Sequence, residues 1–204
     1  MNKLISFEGI DGVGKTTQIE LFLAKLNKNN LNHFLFREPG GTIFSEKIRK
    51  ILLDNNNDIS NLSETLLFLA ARADLVRKKI EPNLQGDQSY VICDRFLDST
   101  LAYQSYGRGI DLELVKSITT KATNNLFPST TFLLDADIDL CLSRITTKDR
   151  MEKEGKEFLI KVKNGFLELA KSNKNRYVIV DANNSISEIE IYIWNQFCDR
   201  YLEK

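Results

Sequence analysis

A glycine-rich segment near the amino terminus, FEGIDGVGKTTQ at residues 7–18, constrains the fold more than any other part of the sequence. Residues 9–16 match G-x-x-x-x-G-K-[ST], the pattern of a phosphate-binding P-loop. The apolar run before it, residues 4–7, predicts a buried strand. After it, an amphipathic helix is predicted by the spacing of Ile19, Phe22, Leu23 and Leu26. This context predicts a site for a nucleoside triphosphate with Mg²⁺.

Each part of the P-loop has its own chemical role. Gly9 and Gly14 let the backbone turn tightly, so that successive N–H groups point into one concavity. Lys15 brings a positive charge to the β and γ phosphates, and Thr16 offers a hydroxyl to Mg²⁺. The predicted triphosphate site consists of Gly9, Ile10, Asp11, Gly12, Val13, Gly14, Lys15, Thr16 and Thr17.

Strands and helices alternate through the rest of the chain. Further apolar runs predict strands at 33–36, 90–93, 130–135 and 177–180, with helical periodicity between them. This alternation predicts an α/β fold: one domain over residues 1–204, with a five-stranded parallel sheet covered by helices on both faces. A long helix is expected at about 62–84, with a core stripe of Leu62, Leu66, Leu69, Ala73, Val76 and Ile80.

Charge and hydropathy exclude several classes of protein. Lysine plus arginine and aspartate plus glutamate are both 28, which argues against non-specific nucleic-acid binding. No apolar run approaches the ~18 residues of a membrane span, and the first strand leaves no room for a signal peptide. We therefore expect a cytoplasmic protein that binds neither nucleic acid nor membrane. The three cysteines have no metal-ligand spacing and are expected to be reduced thiols.

Two further strand ends carry charged side chains. Arg37, Glu38 and Pro39 follow the second predicted strand, and Asp94 and Arg95 follow the third. In a parallel sheet these groups open on the same edge as the P-loop, where α/β proteins bind ligands. The additional arginines indicate a second anion beside the triphosphate.

An aromatic ring and several hydroxyl groups suggest that this second anion is a nucleotide. Phe68 and Arg72 share a helix face, and Ser99 and Tyr103 follow the third strand. The economical interpretation is phosphoryl transfer from ATP to a nucleoside monophosphate. The alternatives are another small phosphotransferase, such as a uridylate or deoxynucleoside kinase, a switch GTPase, or a structural ATP-binding protein. Against the GTPase, the nearest string to N-K-x-D, at residues 173–176, lacks the aspartate.

Five segments together resemble bacterial thymidylate kinase, a family of P-loop nucleoside monophosphate kinases. They are FEGIDGVGKTTQ, REPGG at 37–41, LLFLAARAD at 66–74, DRFLDST at 94–100 and AYQSYGRGID at 102–111. The REPGG segment and the DR segment with YQ and GRG are specific to this family among nucleotide kinases. The resemblance implies a single-domain P-loop kinase fold with a short lid, a homodimer, and phosphorylation of dTMP to dTDP with ATP and Mg²⁺.

The resemblance also implies an acceptor site for dTMP. Arg37 and Arg95 would hold the phosphate, Phe68 would stack on thymine, Arg72 would hydrogen-bond the base, and Tyr103 would disfavour a ribose. The complete acceptor set is Asp11, Arg37, Glu38, Pro39, Phe68, Arg72, Arg95, Ser99, Thr100, Tyr103 and Gln104. Thr16, Glu38 and Asp94 would lie at the Mg²⁺ site.

For the donor side, the resemblance implies that Arg144 stacks on adenine, near the backbone at Ala182. Some family members carry an arginine inside the P-loop, where this chain has Gly12. The cation for the moving phosphoryl group is therefore expected from a lid at about 145–151, with Arg150 preferred over Lys148. The expected catalytic residues are Lys15, Arg95, Arg150 and Asp11.

Overall fold

The structure is a computed structural model, and it describes residues 2–85, 89–145, 150 and 154–202. Within these ranges five strands form one all-parallel sheet in the order β2-β3-β1-β4-β5. The strands are β1 (Leu4–Glu8), β2 (His33–Arg37), β3 (Tyr90–Asp94), β4 (Thr130–Asp135) and β5 (Tyr177–Asp181). The predicted five-stranded parallel sheet is confirmed.

Helices connect the strands, as the sequence predicts. They are α1 (Lys15–Lys28), α2 (Ile43–Leu53), α3 (Asn61–Leu75), α4 (Glu81–Gln85), α5 (Leu97–Thr100), α6 (Leu112–Ala122), α7 (Ile138–Arg144), α8 (Lys156–Ser172) and α9 (Ile186–Tyr201). Two π-helical segments, Val76–Ile80 and Leu101–Gly107, continue α3 and α5. Side-chain oxygens cap several helices: Asp111 accepts a hydrogen bond at the start of α6, and Ser185 forms a capping box with Glu188.

The helix predicted at about 62–84 is observed as α3, a π-helical segment and α4, and its predicted apolar stripe is partly wrong. Leu62 and Leu66 are 52% and 48% exposed, whereas the polar residues Glu64 and Arg72 are buried. Glu64 and Arg72 therefore lie on the inward face of this helix. This is possible because both charged side chains have buried hydrogen-bond partners, which offset the cost of desolvation.

The central strand β1 separates two different layers. On one face, Phe7 packs with Phe22 and Phe132, and Phe22 contacts Phe197 of α9 with ring centroids 5.1 Å apart. On the other face, Ser6 and Glu8 are buried against polar groups of β4 and α5. β1 thus packs against an aromatic core on one face and places the buried polar groups of Ser6 and Glu8 on the other.

None of the helices within the described ranges combines the length and apolar character that a bilayer crossing needs. Cys93 and Cys141 are buried thiols, and Cys198 is partly exposed.

Candidate active site

A cavity of about 540 Å³ lies at the carboxyl edge of β1, β2 and β3, the three strands that precede the charged segments. The register brings these strand ends together, because Asp94 pairs with both Phe7 and Arg37. The residues that line the cavity are Asp11, Gly12, Gly14, Lys15, Thr16, Thr17, Arg37, Glu38, Pro39, Arg49, Leu53, Phe68, Arg72, Asp94, Arg95, Ser99, Thr100, Tyr103, Gln104 and Arg144. Its volume suits one or two nucleotides.

The ammonium group of Lys15 is hydrogen-bonded to the backbone of the P-loop. Gly14 adopts a left-handed conformation at the start of α1, which points the helix N-terminus at the cavity. The Lys15 ammonium is buried and donates hydrogen bonds to the carbonyl oxygens of Gly9 (3.1 Å) and Ile10 (2.9 Å). Burial, aided by the positive charge of Arg95, lowers the pKa of Lys15 to about 8. Lys15 is thus held in place over the loop, next to the space where phosphates would lie.

Gly12 cannot carry a side chain in this structure. Its φ is +76°, and an added Cβ would stand 2.2 Å from the carbonyl oxygen of Cys141 in α7. Both the backbone conformation and the contact with backbone atoms exclude a larger residue without a shift of α7. The absence of a loop arginine at this position therefore has a structural reason.

Arg95, Asp11 and Tyr103 form one hydrogen-bonded group at the centre of the cavity. Arg95 donates from Nη2 to Asp11 Oδ1 (2.5 Å) and from Nη1 to the Gly9 carbonyl (2.9 Å) and Ser99 Oγ (3.1 Å). Tyr103 donates its hydroxyl hydrogen to Asp11 Oδ2 (2.8 Å). Burial alone would raise the pKa of Asp11, but Arg95, Lys15 and the Tyr103 bond outweigh it and lower the pKa to about 2. Asp11 is therefore a carboxylate at all physiological pH values.

A second buried ion pair, between Arg72 and Glu38, forms the neighbouring wall. Arg72 donates to Glu38 Oε2 (2.6 Å), Thr100 Oγ1 (2.7 Å) and the Phe96 carbonyl (2.9 Å). Burial raises the pKa of Glu38, and the nearby Arg72 opposes that rise. Arg72 is therefore held in a fixed orientation on this wall of the cavity.

Two buried carboxylate oxygens in this region lack partners among the described residues, Glu38 Oε1 and Asp94 Oδ1. Both residues line the cavity, and Thr16 lies there too. Oxygen donors are what Mg²⁺ prefers, and it usually binds through one or two carboxylates together with substrate phosphates. The residues predicted for the metal thus fit Mg²⁺. No cluster of three or more potential metal-ligating side chains occurs in the described part of the chain.

The cavity is lined by cations that the sequence analysis named and by one that it did not. Arg37 is half exposed, with its closest carboxylate, Glu46, at 3.7 Å, and Arg144 approaches the Gly12 carbonyl at 3.4 Å. Arg49 was missed: it lines the cavity and donates to the Pro39 carbonyl at 3.0 Å. A charged residue on an amphipathic helix normally faces solvent, so the sequence offered no signal for Arg49.

Arg150 is hydrogen-bonded to residues outside the P-loop. Its Nη2 donates to Glu64 at 2.5 Å and its Nε to the Leu52 carbonyl at 2.8 Å, and it does not line the cavity. Its expected role as the cation for the moving phosphoryl group stays a prediction, and it would require these contacts to open. The rest of the predicted lid, residues 146–149 and 151, including Lys148, lies outside the described residues.

Four predicted donor-site residues do not line the cavity. Gly9 and Ile10 contribute carbonyl oxygens that hold Lys15, and Val13 is buried in the core. Ala182 is buried as well, with its N–H bonded to the Asp135 carbonyl at 2.8 Å. Every residue predicted for the acceptor site, by contrast, lines the cavity.

Comparisons with known proteins agree on one family. The sequence matches the family described as thymidylate kinase over residues 7–193. It is 47% identical to the thymidylate kinase of Chlorobium phaeobacteroides over 88% of this chain and 87% of that protein, and 46% identical to that of Thermosipho africanus over 91% and 92%. The crystal structure of thymidylate kinase from Ehrlichia chaffeensis superposes with a TM-score of 0.77, at 36% identity over 95% of this chain and 97% of that one.

Proposed function

The chain belongs to the thymidylate kinase family, and on that premise we propose how its own residues carry out the phosphorylation of dTMP to dTDP by ATP. The observation that carries the proposal is the continuity of the cavity. One space joins the P-loop, with Lys15 and Thr16, to a second group of arginines and to Phe68 and Gln104. A site for a triphosphate alone has no need of that second half.

The donor half is proposed to bind ATP through the P-loop. Backbone N–H groups at the start of α1 and the ammonium of Lys15 face the phosphates, where they oppose the charge that develops during transfer. Arg144 lies at the mouth of the cavity beside Gly12 and is assigned to the adenine ring. The backbone around Ala182 is assigned to the same ring.

The acceptor half is proposed to bind dTMP with its phosphate towards Lys15. Arg37 and Arg95 are assigned to that phosphate, and Asp11 holds Arg95 in place. Phe68 is assigned to the face of the base, and Arg72 and Gln104 to its polar edge. Pro39, Ser99, Thr100 and Tyr103 complete the wall around the sugar and the base.

Mg²⁺ is proposed to accompany ATP. Glu38 and Asp94, whose unpartnered oxygens are noted above, would hold it directly or through water, and Thr16 would add its hydroxyl. When bound, the metal neutralises charge on the phosphates and orients them. The chain's own residues supply the rest of the site: they bind both nucleotides, hold them in line and exclude water from the space between them.

The direct test is a coupled assay of nucleoside diphosphate formation with ATP and MgCl₂. Turnover is compared for dTMP, dUMP, UMP and dCMP, and then for GTP against ATP with dTMP. We expect dTMP with ATP to give the highest kcat/KM. Another nucleoside monophosphate or deoxynucleoside kinase, the alternative considered from the sequence, is not favoured by the comparisons and would prefer a different acceptor. Omission of MgCl₂ with excess EDTA should abolish turnover.

We further propose a cytoplasmic homodimer that buries an exposed apolar face of α2, α3 and α6. These three helices pack side by side, and their outer faces carry large apolar side chains that are 45–84% exposed. Several large apolar side chains exposed on adjoining helices are typical of an interface. Its members are Ile43, Phe44, Ile51, Leu62, Leu66 and Leu114.

Light scattering tests the dimer. The wild-type chain should have twice the mass of a monomer, and Leu66→Glu should reduce it to a monomer. Ile191→Glu, at a comparably exposed position on α9, is the matched control and should remain a dimer. A dimer that persists in Leu66→Glu and dissociates in Ile191→Glu would place the interface on α9.

A further inference from the structure

Glu64 is a buried acid beside the cavity, and its two oxygens are saturated with donors. Oε1 accepts hydrogen bonds from Gln104 Nε2 (3.0 Å) and Arg108 Nε (3.1 Å). Oε2 accepts from Arg108 Nη2 (3.3 Å) and Arg150 Nη2 (2.5 Å). The residue has no exposed surface. Two arginines and an amide therefore converge on a carboxylate that is not itself part of the cavity lining.

This arrangement fixes which way the Gln104 amide points. A carboxylate only accepts hydrogen bonds, so the amide nitrogen of Gln104 must face Glu64 and the amide oxygen must face away from it. Gln104 lines the cavity, and within the described residues no group donates to its oxygen. The side chain thus offers the cavity an acceptor.

Arg72 supplies a donor on the same wall. Glu64, Phe68 and Arg72 are spaced four residues apart along α3, and all three lie on the inward side of the helix. Arg72 is linked to the segment that carries Gln104, because its Nη1 donates to Thr100, four residues before Gln104. Thr100 uses one of the two hydrogens on Arg72 Nη1, so a base stacked on Phe68 would lie between the second Nη1 hydrogen and the amide oxygen of Gln104.

We propose that Glu64 is a positioning residue that selects pyrimidines carrying a hydrogen at N3, by holding the Gln104 amide oxygen towards the cavity. The proposal rests on the acceptor half of the proposed function. Thymine and uracil present a carbonyl oxygen at position 4 and an N–H at position 3, which complement Arg72 and Gln104. Cytosine presents an amino group and a bare nitrogen, so both contacts are reversed. A site built around a buried polar pair rejects such an analogue strongly, because its own groups would be left unpaired.

The substitution Glu64→Gln tests this directly. The amide oxygen of the new side chain at position 64 best replaces Oε2, which faces two arginine donors. The NH₂ group of the new side chain then faces Gln104. Gln104 has to turn its oxygen towards that NH₂ group and its nitrogen towards the cavity. We expect the ratio of kcat/KM for dTMP over 5-methyl-dCMP, which differ only at positions 3 and 4, to fall by about tenfold or more, the value of one hydrogen bond.

Two controls separate positioning from a general structural effect. Arg150→Met removes one donor from Glu64 without touching Gln104, and should leave the ratio at the wild-type value whatever it does to kcat. In a Gln104→Leu background, Glu64→Gln should not change the ratio further, because the side chain through which it acts is gone. If Glu64→Gln does not fold, Glu64→Asp keeps a carboxylate for the arginines but shortens its reach to Gln104, and should also lower the ratio.

The outcomes of these assays distinguish a failure of the proposed function from a failure of the proposed role of Glu64. A wild-type protein that does not phosphorylate dTMP would overturn the proposed function. A wild-type protein that is active, with the same base ratio in Glu64→Gln or in its substitute Glu64→Asp, would overturn the role of Glu64 alone. An equal fall in the ratio with and without Gln104 would also overturn it, because Glu64 would then act through another group.

Discussion

Replacement of Glu8 by glutamine should make the protein more stable at alkaline pH. Glu8 ends β1 with no exposed surface and accepts hydrogen bonds from the Phe96 N–H (2.7 Å) and Ser99 Oγ (2.6 Å). Burial, reinforced by the negative charge of Asp98, raises the pKa of Glu8 from 4.5 to about 8. The folded protein therefore favours the neutral acid, and an amide of the same shape can replace it.

The sign and size of the effect follow from linkage. Between pH 4.5 and 8 the folded state binds a proton at Glu8 that the unfolded state has released, so the free energy of unfolding falls as pH rises. At 1.36 kcal/mol per pKa unit, the loss between pH 5 and pH 8 is about 3 kcal/mol. The Glu8→Gln variant has no titrating group at position 8, so it does not show this loss of unfolding free energy. The variant should match the wild type within about 1 kcal/mol at pH 5 and exceed it by several kcal/mol at pH 8.

Urea unfolding followed by the fluorescence of Trp194, at pH 5, 6, 7 and 8 and constant ionic strength, measures this difference. Titrating groups remote from Glu8 are common to the two proteins and cancel in the comparison. Glu8→Ala is a useful contrast, because it removes the hydrogen bonds to Phe96 and Ser99 and should destabilise at every pH. Parallel stability curves for wild type and Glu8→Gln would refute the reasoning, since they would mean that Glu8 is ionised in the folded protein throughout.

Four further predictions concern activity. Lys15→Met should lower kcat by about 10²-fold or more without loss of stability, since the ammonium lies over the loop and its burial is unfavourable. Turnover and urea unfolding of the same variant check this prediction. Arg95→Ala should weaken the binding of dTMP by about 2–3 kcal/mol and the binding of ATP much less, as measured by separate titrations. Equal losses of binding free energy for both nucleotides would mean that Arg95 does not belong to the acceptor site. Tyr103→Ala should narrow the kcat/KM preference for dTMP over ribothymidylate, whereas Tyr103→Phe, which keeps the ring, should retain it. Arg150→Ala should lower kcat by ~10²-fold with little change in KM for dTMP if Arg150 reaches the moving phosphoryl group; an unchanged kcat would assign it only to Glu64.

The positions of the strands along the chain and their parallel direction could be predicted, because apolar runs mark the strands and helices alternate with them. The apolar runs mark the strands, and the glycines of the P-loop and the capping residues at Asp111 and Ser185 mark the ends of helices. The sequence could also predict that the charged residues at strand ends lie together, because a parallel sheet brings its carboxyl ends to one edge.

The inward face of α3 could not be predicted in the same way. Hydrophobic periodicity assigns Leu62 and Leu66 to the core, but the structure buries Glu64 and Arg72 and exposes both leucines. Periodicity assumes that polar residues face water. It fails where partners far apart in the chain satisfy a buried charge, here Glu38 for Arg72 and Arg108 for Glu64.

The net charge of the chain is zero, yet the cavity is strongly cationic. Its lining contains six cationic side chains and three acidic ones, so the local excess is positive even though the whole sequence is neutral.

The cations fall into two groups. Arg72 and Arg95 are paired with Glu38 and Asp11 and are held in fixed orientations, whereas Arg37 and Arg144 are exposed at the cavity. A paired arginine keeps its direction, so it suits a contact of fixed geometry, as proposed for Arg95 with the dTMP phosphate and for Arg72 with the base. An exposed arginine is less directional and adds to the positive potential at the cavity. The zero net charge of the whole sequence therefore does not conflict with a locally cationic cavity, because the local charge is what a phosphate-bearing ligand would meet.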